Sequence, residues 1–197
     1  MATQLEKKAF FDKYKDWAIE TQAKSGVPAS ITLAQAAIES GWGTSPLARD
    51  DNNFFGIQCH NWSFGECGVE RTDVDKNGKP YKVRFRKYST PYGSFIDHAD
   101  FLMKQPRYNS LFNNTNYIDW ANGLQKATYA ESKTYASDLI ATIEKNNLAQ
   151  YDKVGDVQMQ TLPNTIIRNR KKLYVITIVI VLLLVALWFV GKKLTKK

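Results

Sequence analysis

Histidine and cysteine are scarce in this chain of 197 residues, with two of each. Cys59 and Cys67 lie eight positions apart beside His60, and the other histidine, His98, is remote, so the paired ligand spacing of a metal site is missing. No metal is expected, and the cysteines read either as a local disulfide or as two free thiols. Residues Met1 to Phe10 lack the apolar core and small-residue cleavage site of a signal peptide, so no secretory leader is expected there. Acidic side chains are absent from Arg168 to Lys197, where eight basic ones stand. Removing those eight from the 27 Lys and Arg leaves 19 basic against 19 acidic side chains in residues 1 to 167. The formal charge of +8 therefore belongs to the C-terminal end. A neutral remainder has no general attraction for phosphate backbones, which argues against a nucleic-acid module despite a pI of about 9.4.

Between the basic clusters of that end runs Leu173 to Val190, eighteen residues without a charge, Pro or Gly. At ~1.5 Å per residue it spans about 27 Å, close to a hydrocarbon core. Tyr174 and Trp188 stand near its ends, where aromatic rings favour the headgroup boundary. A single C-terminal transmembrane helix is expected within residues 171–197, with a lipid bilayer as partner of 173–190. Four basic residues on either side leave its orientation open. Residues 149–170 show no sustained period and read as a linker, which leaves a globular domain over residues 1–148.

Within that domain Phe10, Tyr14, Trp17, Ala18 and Thr21 recur at helical spacing, so residues 6–24 read as an amphipathic helix stopped by Gly26. Ser30 is placed to cap a second helix, Ile31 to Ser40, ended by Gly41 and Gly43. On that helix Ile31, Leu33, Ala34, Ala37 and Ile38 form one half, and Thr32, Gln35, Ala36 and Glu39 the other. From Val69 to Tyr88 the period changes to two around Asn77-Gly78, the pattern of a β-hairpin. Helical spacing returns near 94–104, 115–126 and 132–146. The expected class is α+β, mainly helical, with one hairpin.

Glu39 falls one residue before its helix ends, beside the partial negative charge of the C-terminus, which disfavours a carboxylate and raises its pKa. Shielding by Trp42 or Phe54 acts in the same direction. On spacing alone, however, a lone Glu on a polar helix face reads as a solvated charge.

The block Pro28-Ala-Ser-Ile-Thr-Leu-Ala-Gln-Ala-Ala-Ile-Glu-Ser-Gly-Trp-Gly43, followed by Asn52-Asn-Phe-Phe-Gly-Ile57, closely resembles glycoside hydrolase family 73, the peptidoglycan glucosaminidases of autolysins, flagellar-rod hydrolases and phage lysins. The likeness continues through Phe85-Arg-Lys-Tyr88, Asp97-His98, Pro106-Arg-Tyr108, Tyr129-Ala130 and Tyr135-Ala136, covering about residues 8 to 148. The resemblance implies a lysozyme-like fold and hydrolysis of the β-1,4 bond between N-acetylglucosamine and N-acetylmuramic acid, without cofactor. It makes Glu39 the general acid. The family's second acid, usually a Glu before an aromatic residue on the hairpin, falls here on Asp73-Val74, a departure that leaves Glu70 and Asp75 as rivals. It places Tyr129 in the cleft. Trp42, Asn53 and Phe54 read as walls of a sugar groove, with Trp42 and Phe54 equally readable as core, and His98 reads as structural.

Two mechanisms fit such a site: a hairpin carboxylate activating water, or attack by the substrate's own N-acetyl group. Two other functions fit as well, a lytic transglycosylase of the same fold and a non-catalytic glycan-binding protein held at a membrane. An anchored wall enzyme without a leader fits a phage product, in a virion membrane or at the host cell envelope, more readily than a resident autolysin.

Overall fold

The computed structural model describes residues 2–60, 62, 65–74 and 77–153. The expected transmembrane run 173–190 and most of the expected linker lie outside the described residues. Among the described residues no helix is long and apolar enough to cross a membrane.

Six α-helices and one hairpin are described: α1 Gln4–Ser25, α2 Ala29–Glu39, α3 Pro46–Asp50, β1 Glu66–Val74, β2 Pro80–Lys87, α4 Pro91–Lys104, α5 Tyr117–Lys126 and α6 Tyr135–Lys145. A 3-10 segment, Pro106–Asn113, joins α4 to α5. The α+β class with one antiparallel hairpin is as expected. α1 opens on a capping box in which Thr3 and Glu6 satisfy each other's backbone groups. Its stripe packs Phe10, Tyr14 and Trp17 against Phe54 and Phe95. The short α3 and the 3-10 segment had no periodic signal, because one or two turns are too few to show a period.

α2 differs from its sequence reading in two respects. Its polar half is not solvated: every residue from Ala29 to Ala37 is buried, Thr32 and Gln35 included. α2 packs against α1 on one side and against α5 and α6 on the other. Nor does Ser30 cap it. The helix starts at Ala29, whose N–H donates to Gln22 Oε1 of α1 at 2.7 Å, while the Ser30 N–H and hydroxyl donate to the two Asp152 carboxylate oxygens, each at 2.7 Å. Remote side chains thus satisfy donors that a buried helix N-terminus would leave orphaned. Asp152 sits on a helical turn at residues 150–153, and its carbonyl accepts from Gln22 Nε2 at 2.9 Å. The folded unit therefore continues past the expected boundary at Leu148, and the first five residues of the expected linker are docked on it.

The hairpin pairs Asp73 with Tyr81 and Val74 with Pro80, with an irregularity between Cys67 and Glu70. Residues 57–59 add a third, short row along β2: Cys59 N–H donates to Arg84 O at 2.8 Å and Arg86 N–H to Ile57 O at 2.9 Å. Cys59 and Cys67 form a disulfide, which settles the choice left by their spacing.

Replacing Asp152 by Ala should destabilise the domain by about 1–3 kcal/mol, the cost of leaving buried donors unpaired. Urea unfolding of the variant beside wild type measures this, and a fragment ending at Leu148 should lose at least as much as one ending at Lys153.

Candidate active site

Glu39 is the last residue of α2. The chain must turn there without crossing the face of the helix, and a left-handed exit does this. Gly41 (φ 55) and Trp42 (φ 63) take positive φ, and Trp42 N–H closes back on Ala37 O at 2.7 Å. The exit leaves the Glu39 side chain half-buried at the mouth of a polar interior.

Tyr135, at the start of α6, donates its hydroxyl to Glu39 Oε1 at 2.9 Å. The same oxygen of Tyr135 accepts from Gln35 Nε2 at 2.9 Å, one turn back along α2. Because Gln35 supplies a proton to the phenol oxygen, the phenol's own proton is directed at Glu39. Burial raises the Glu39 pKa above the usual carboxylate range, and the Tyr135 hydrogen bond, which favours the ionised form, partly offsets this. Burial pushes the Tyr135 phenol far up, so it remains a proton donor across the working pH range.

Tyr129 stacks on Tyr135 with centroids 5.6 Å apart and rings 13° from parallel. It is half-buried, and burial followed by the Glu39 charge raises its pKa well above the usual phenol value. His98 meets the edge of Tyr129 at 6.1 Å and lies flat on Phe55 at 3.9 Å. Burial holds its pKa down to about 3, so the ring is neutral, in keeping with a structural role.

Two of the three candidate hairpin carboxylates, Glu70 and Asp73, are sorted by the alternation of the strand. Asp73 shares a face with Arg71, whose guanidinium bonds Asp51 at 2.9 Å at the end of α3, so that face looks toward the helical body. Glu70, opposite Arg84, points the other way and is exposed. Asp75 lies outside the described residues. Asp73 accepts from Val74 N–H at 2.9 Å and from the Tyr81 hydroxyl at 3.2 Å, and that hydroxyl accepts from Gln58 Nε2 at 2.9 Å.

Asn53 and Phe54 lie beneath the surface rather than along a sugar groove. Asn53 is 1% exposed and spends its amide on backbone: Nδ2 donates to Ile57 O and Arg86 O, and Oδ1 accepts from Phe55 and Ile57 N–H. It ties the turn after α3 to the hairpin. Phe54 is core, against Phe10, Tyr14 and Phe95. Trp42 is half-buried on α1, against Phe10 and Phe11, with the Lys7 ammonium 5.0 Å from its ring centre. The structure thus brings Glu39, Tyr129 and Tyr135 together and leaves these three residues in supporting positions. Gln35 and Tyr135 are the contacts that sequence reasoning missed. The signal was available for Gln35, since a residue four before Glu39 lies on the same helix face.

Glu39, whose pKa burial raises, thus stands at the end of the buried helix α2 beside two stacked phenols. Residues 15–148 match the glucosaminidase profile described as mannosyl-glycoprotein endo-beta-N-acetylglucosaminidase. The chain belongs to this family of glycoside hydrolases. It is 36% identical over 156 residues to exo-glucosaminidase LytG of Bacillus subtilis, covering 76% of this chain and 55% of that protein. To peptidoglycan hydrolase FlgJ of Escherichia coli K12 it is 30% identical over 165 residues, 81% of this chain and 52% of that one. The chain therefore spans about half the length of these curated relatives. Among solved structures, the catalytic domain of the autolysin Auto from Listeria monocytogenes superposes with a TM-score of 0.65 at 29% identity, covering 77% of this chain and 90% of that one. Peptidoglycan hydrolase from Sphingomonas sp. A1 gives 0.61 at 33% identity over 75% and 94%.

A glycosidase that used Glu39 as its proton donor should lose activity as pH rises through the Glu39 pKa, because an acid must be protonated to donate. Tyr135→Phe removes a hydrogen bond to the ionised form, so the Glu39 pKa rises further and the basic limb of the kcat/KM profile should move to higher pH. A limb that stays put or moves down would separate Tyr135 from Glu39.

Proposed function

We propose that this chain is a peptidoglycan hydrolase that cuts the β-1,4 bond between N-acetylglucosamine and N-acetylmuramic acid, with Glu39 as general acid. The observation that carries this reading is the Glu39 carboxyl itself. It is half-buried at a helix end, held by a phenol whose proton is directed at it, with its pKa raised by burial. Protonation of the leaving glycosidic oxygen is the step that such a group performs. The B. subtilis relative is an exo-glucosaminidase and the E. coli relative a peptidoglycan hydrolase, which supports a glycosidase that acts on peptidoglycan.

Asp73 is the second carboxylate in this proposal, activating the attacking water from the hairpin. Its orientation toward the helical body favours it over Glu70. Tyr129, stacked beside the acid, faces the N-acetylated sugar. From the apolar run 173–190 we further propose a bilayer tether and a phage origin for the chain, in a virion membrane or at the envelope of the infected cell.

Glu39→Gln should lower turnover on purified peptidoglycan by at least ~100-fold without unfolding the domain. Mass spectrometry of the digest should show reducing-end N-acetylglucosamine. Products ending in 1,6-anhydromuramic acid would replace the proposal with a lytic transglycosylase, and a folded, active Glu39→Gln chain would remove it. Asp73→Asn should slow hydrolysis more than Glu70→Gln; equal, near-native rates would favour attack by the substrate's N-acetyl group. For the tether, protease protection on intact particles should shield the chain, and finding it constitutively exposed on uninfected cells would defeat the phage assignment.

A further inference from the structure

A groove of about 860 Å³ runs between the outer face of α4 and the base of the hairpin, and none of Glu39, Tyr129 and Tyr135 lines it. Trp62, Tyr88, Tyr92 and Phe101 supply its aromatic surface. Its floor is a built polar network. The Arg86 guanidinium bonds both Asp97 oxygens at 2.8 and 2.6 Å, and the Tyr88 hydroxyl donates to Asp97 at 2.6 Å.

Trp62 owes its place to the disulfide. Cys59 and Cys67 close the loop that carries it, and Trp62 N–H donates to Cys59 O at 2.7 Å. The indole passes so close to Gly65 that a Cβ there would lie 2.4 Å from it, a contact only glycine avoids. Arg86 covers the ring at 4.8 Å from its centre, and Tyr88 stands 5.8 Å away. Trp62 is half-buried and lines the groove.

The charge of the lining selects the occupant. Glu66, Asp97 and Asp100 balance Arg86, Lys87 and Lys104. A balanced, aromatic groove does not attract a polyanion, and the carboxylate-bearing stem peptides of the wall find no excess of positive charge there. It suits an uncharged polymer with apolar ring faces and hydroxyl or amide edges. The groove also adjoins the acid through packed rings: Phe101 contacts Tyr108 at 6.3 Å, and Tyr108 contacts Tyr129 at 6.3 Å.

We propose that this groove is a glycan-binding subsite, in which Trp62, held by the Cys59–Cys67 loop, stacks on an N-acetylated sugar distant from the bond being cut. The inference rests on the glycan-hydrolase reading above for its choice of polymer, and its test is a binding measurement that does not require turnover. The full chain carrying Glu39→Gln, in detergent, is titrated with N-acetylglucosamine hexamer by calorimetry. Trp62→Ala added to it should weaken binding by roughly tenfold, as for loss of one central aromatic contact, and Trp62→Phe should restore most of it. Serine at both Cys59 and Cys67 should weaken binding in the same direction. Equal affinity in the Trp62→Ala, Trp62→Phe and parent chains overturns the proposal. So does unchanged affinity without the disulfide, or displacement of the hexamer by a sugar-free stem peptide at equal concentration. Failure of the hydrolase reading would appear instead as absence of turnover of purified peptidoglycan by the unsubstituted chain, which this titration leaves aside.

Discussion

The burial of α2 from Ala29 to Ala37 is the constraint on which the rest of this structure depends. A helix inside a protein cannot leave its terminal N–H groups to water, and its polar side chains must find partners within the fold. Here Gln22 and Asp152 meet the N-terminus, a left-handed exit through Gly41 and Trp42 closes the C-terminus, and Tyr135 answers Gln35 along the side. Each partner comes from a different part of the chain, so α1, α6 and the turn at residues 150–153 are fixed relative to α2 by the same requirement. The acid is the one member of that polar stripe that reaches partial exposure. Its raised pKa has the same cause, burial, which also leaves the Thr32 hydroxyl and Gln35 Oε1 without a hydrogen-bond partner among the described residues.

The hairpin is fixed to this body by few but specific contacts. Asn53 binds the backbone of Ile57 and Arg86, Arg71 reaches Asp51, and the Arg86–Asp97 pair joins β2 to α4. A two-stranded ribbon is marginal by itself, so these ties and the third row at residues 57–59 are what fix the hairpin to the helical body. Asn53 is therefore informative in an indirect way. It is part of the signature block, yet what it does in the structure is tie the turn after α3 to the ribbon that carries Asp73.

Much of this was legible in the sequence because it is periodic. The apolar stripes of α1 and α4 and the alternation around Asn77-Gly78 each follow from a regular geometry repeated over several residues, and the Glu39 position followed from a helix end and a family signature. What was not legible has a common physical cause. Asp152 capping a helix 122 residues away, Tyr135 bonding Glu39 across 96, and the burial of the polar half of α2 are all non-local. Local pattern can say that Gln35 and Glu39 share a face, but not that another helix will cover it. Phe54 shows the same limit from the other direction, since an aromatic residue beside a site motif has the same local signature whether it faces a sugar or Phe95.

The turn at residues 150–153 has a mechanical corollary. Asp152 meets α2 at Ser30, and Glu39 lies nine residues further along, about 14 Å at helical rise. The polypeptide leaves the described fold at the end of α2 opposite its acid. Tension applied from that direction would be resisted first by two short hydrogen bonds to Ser30 and by the Gln22 contact, before any strain arrived at the Glu39–Tyr135 pair. The Glu39–Tyr135 pair lies at the other end of α2 from the contacts that Asp152 makes.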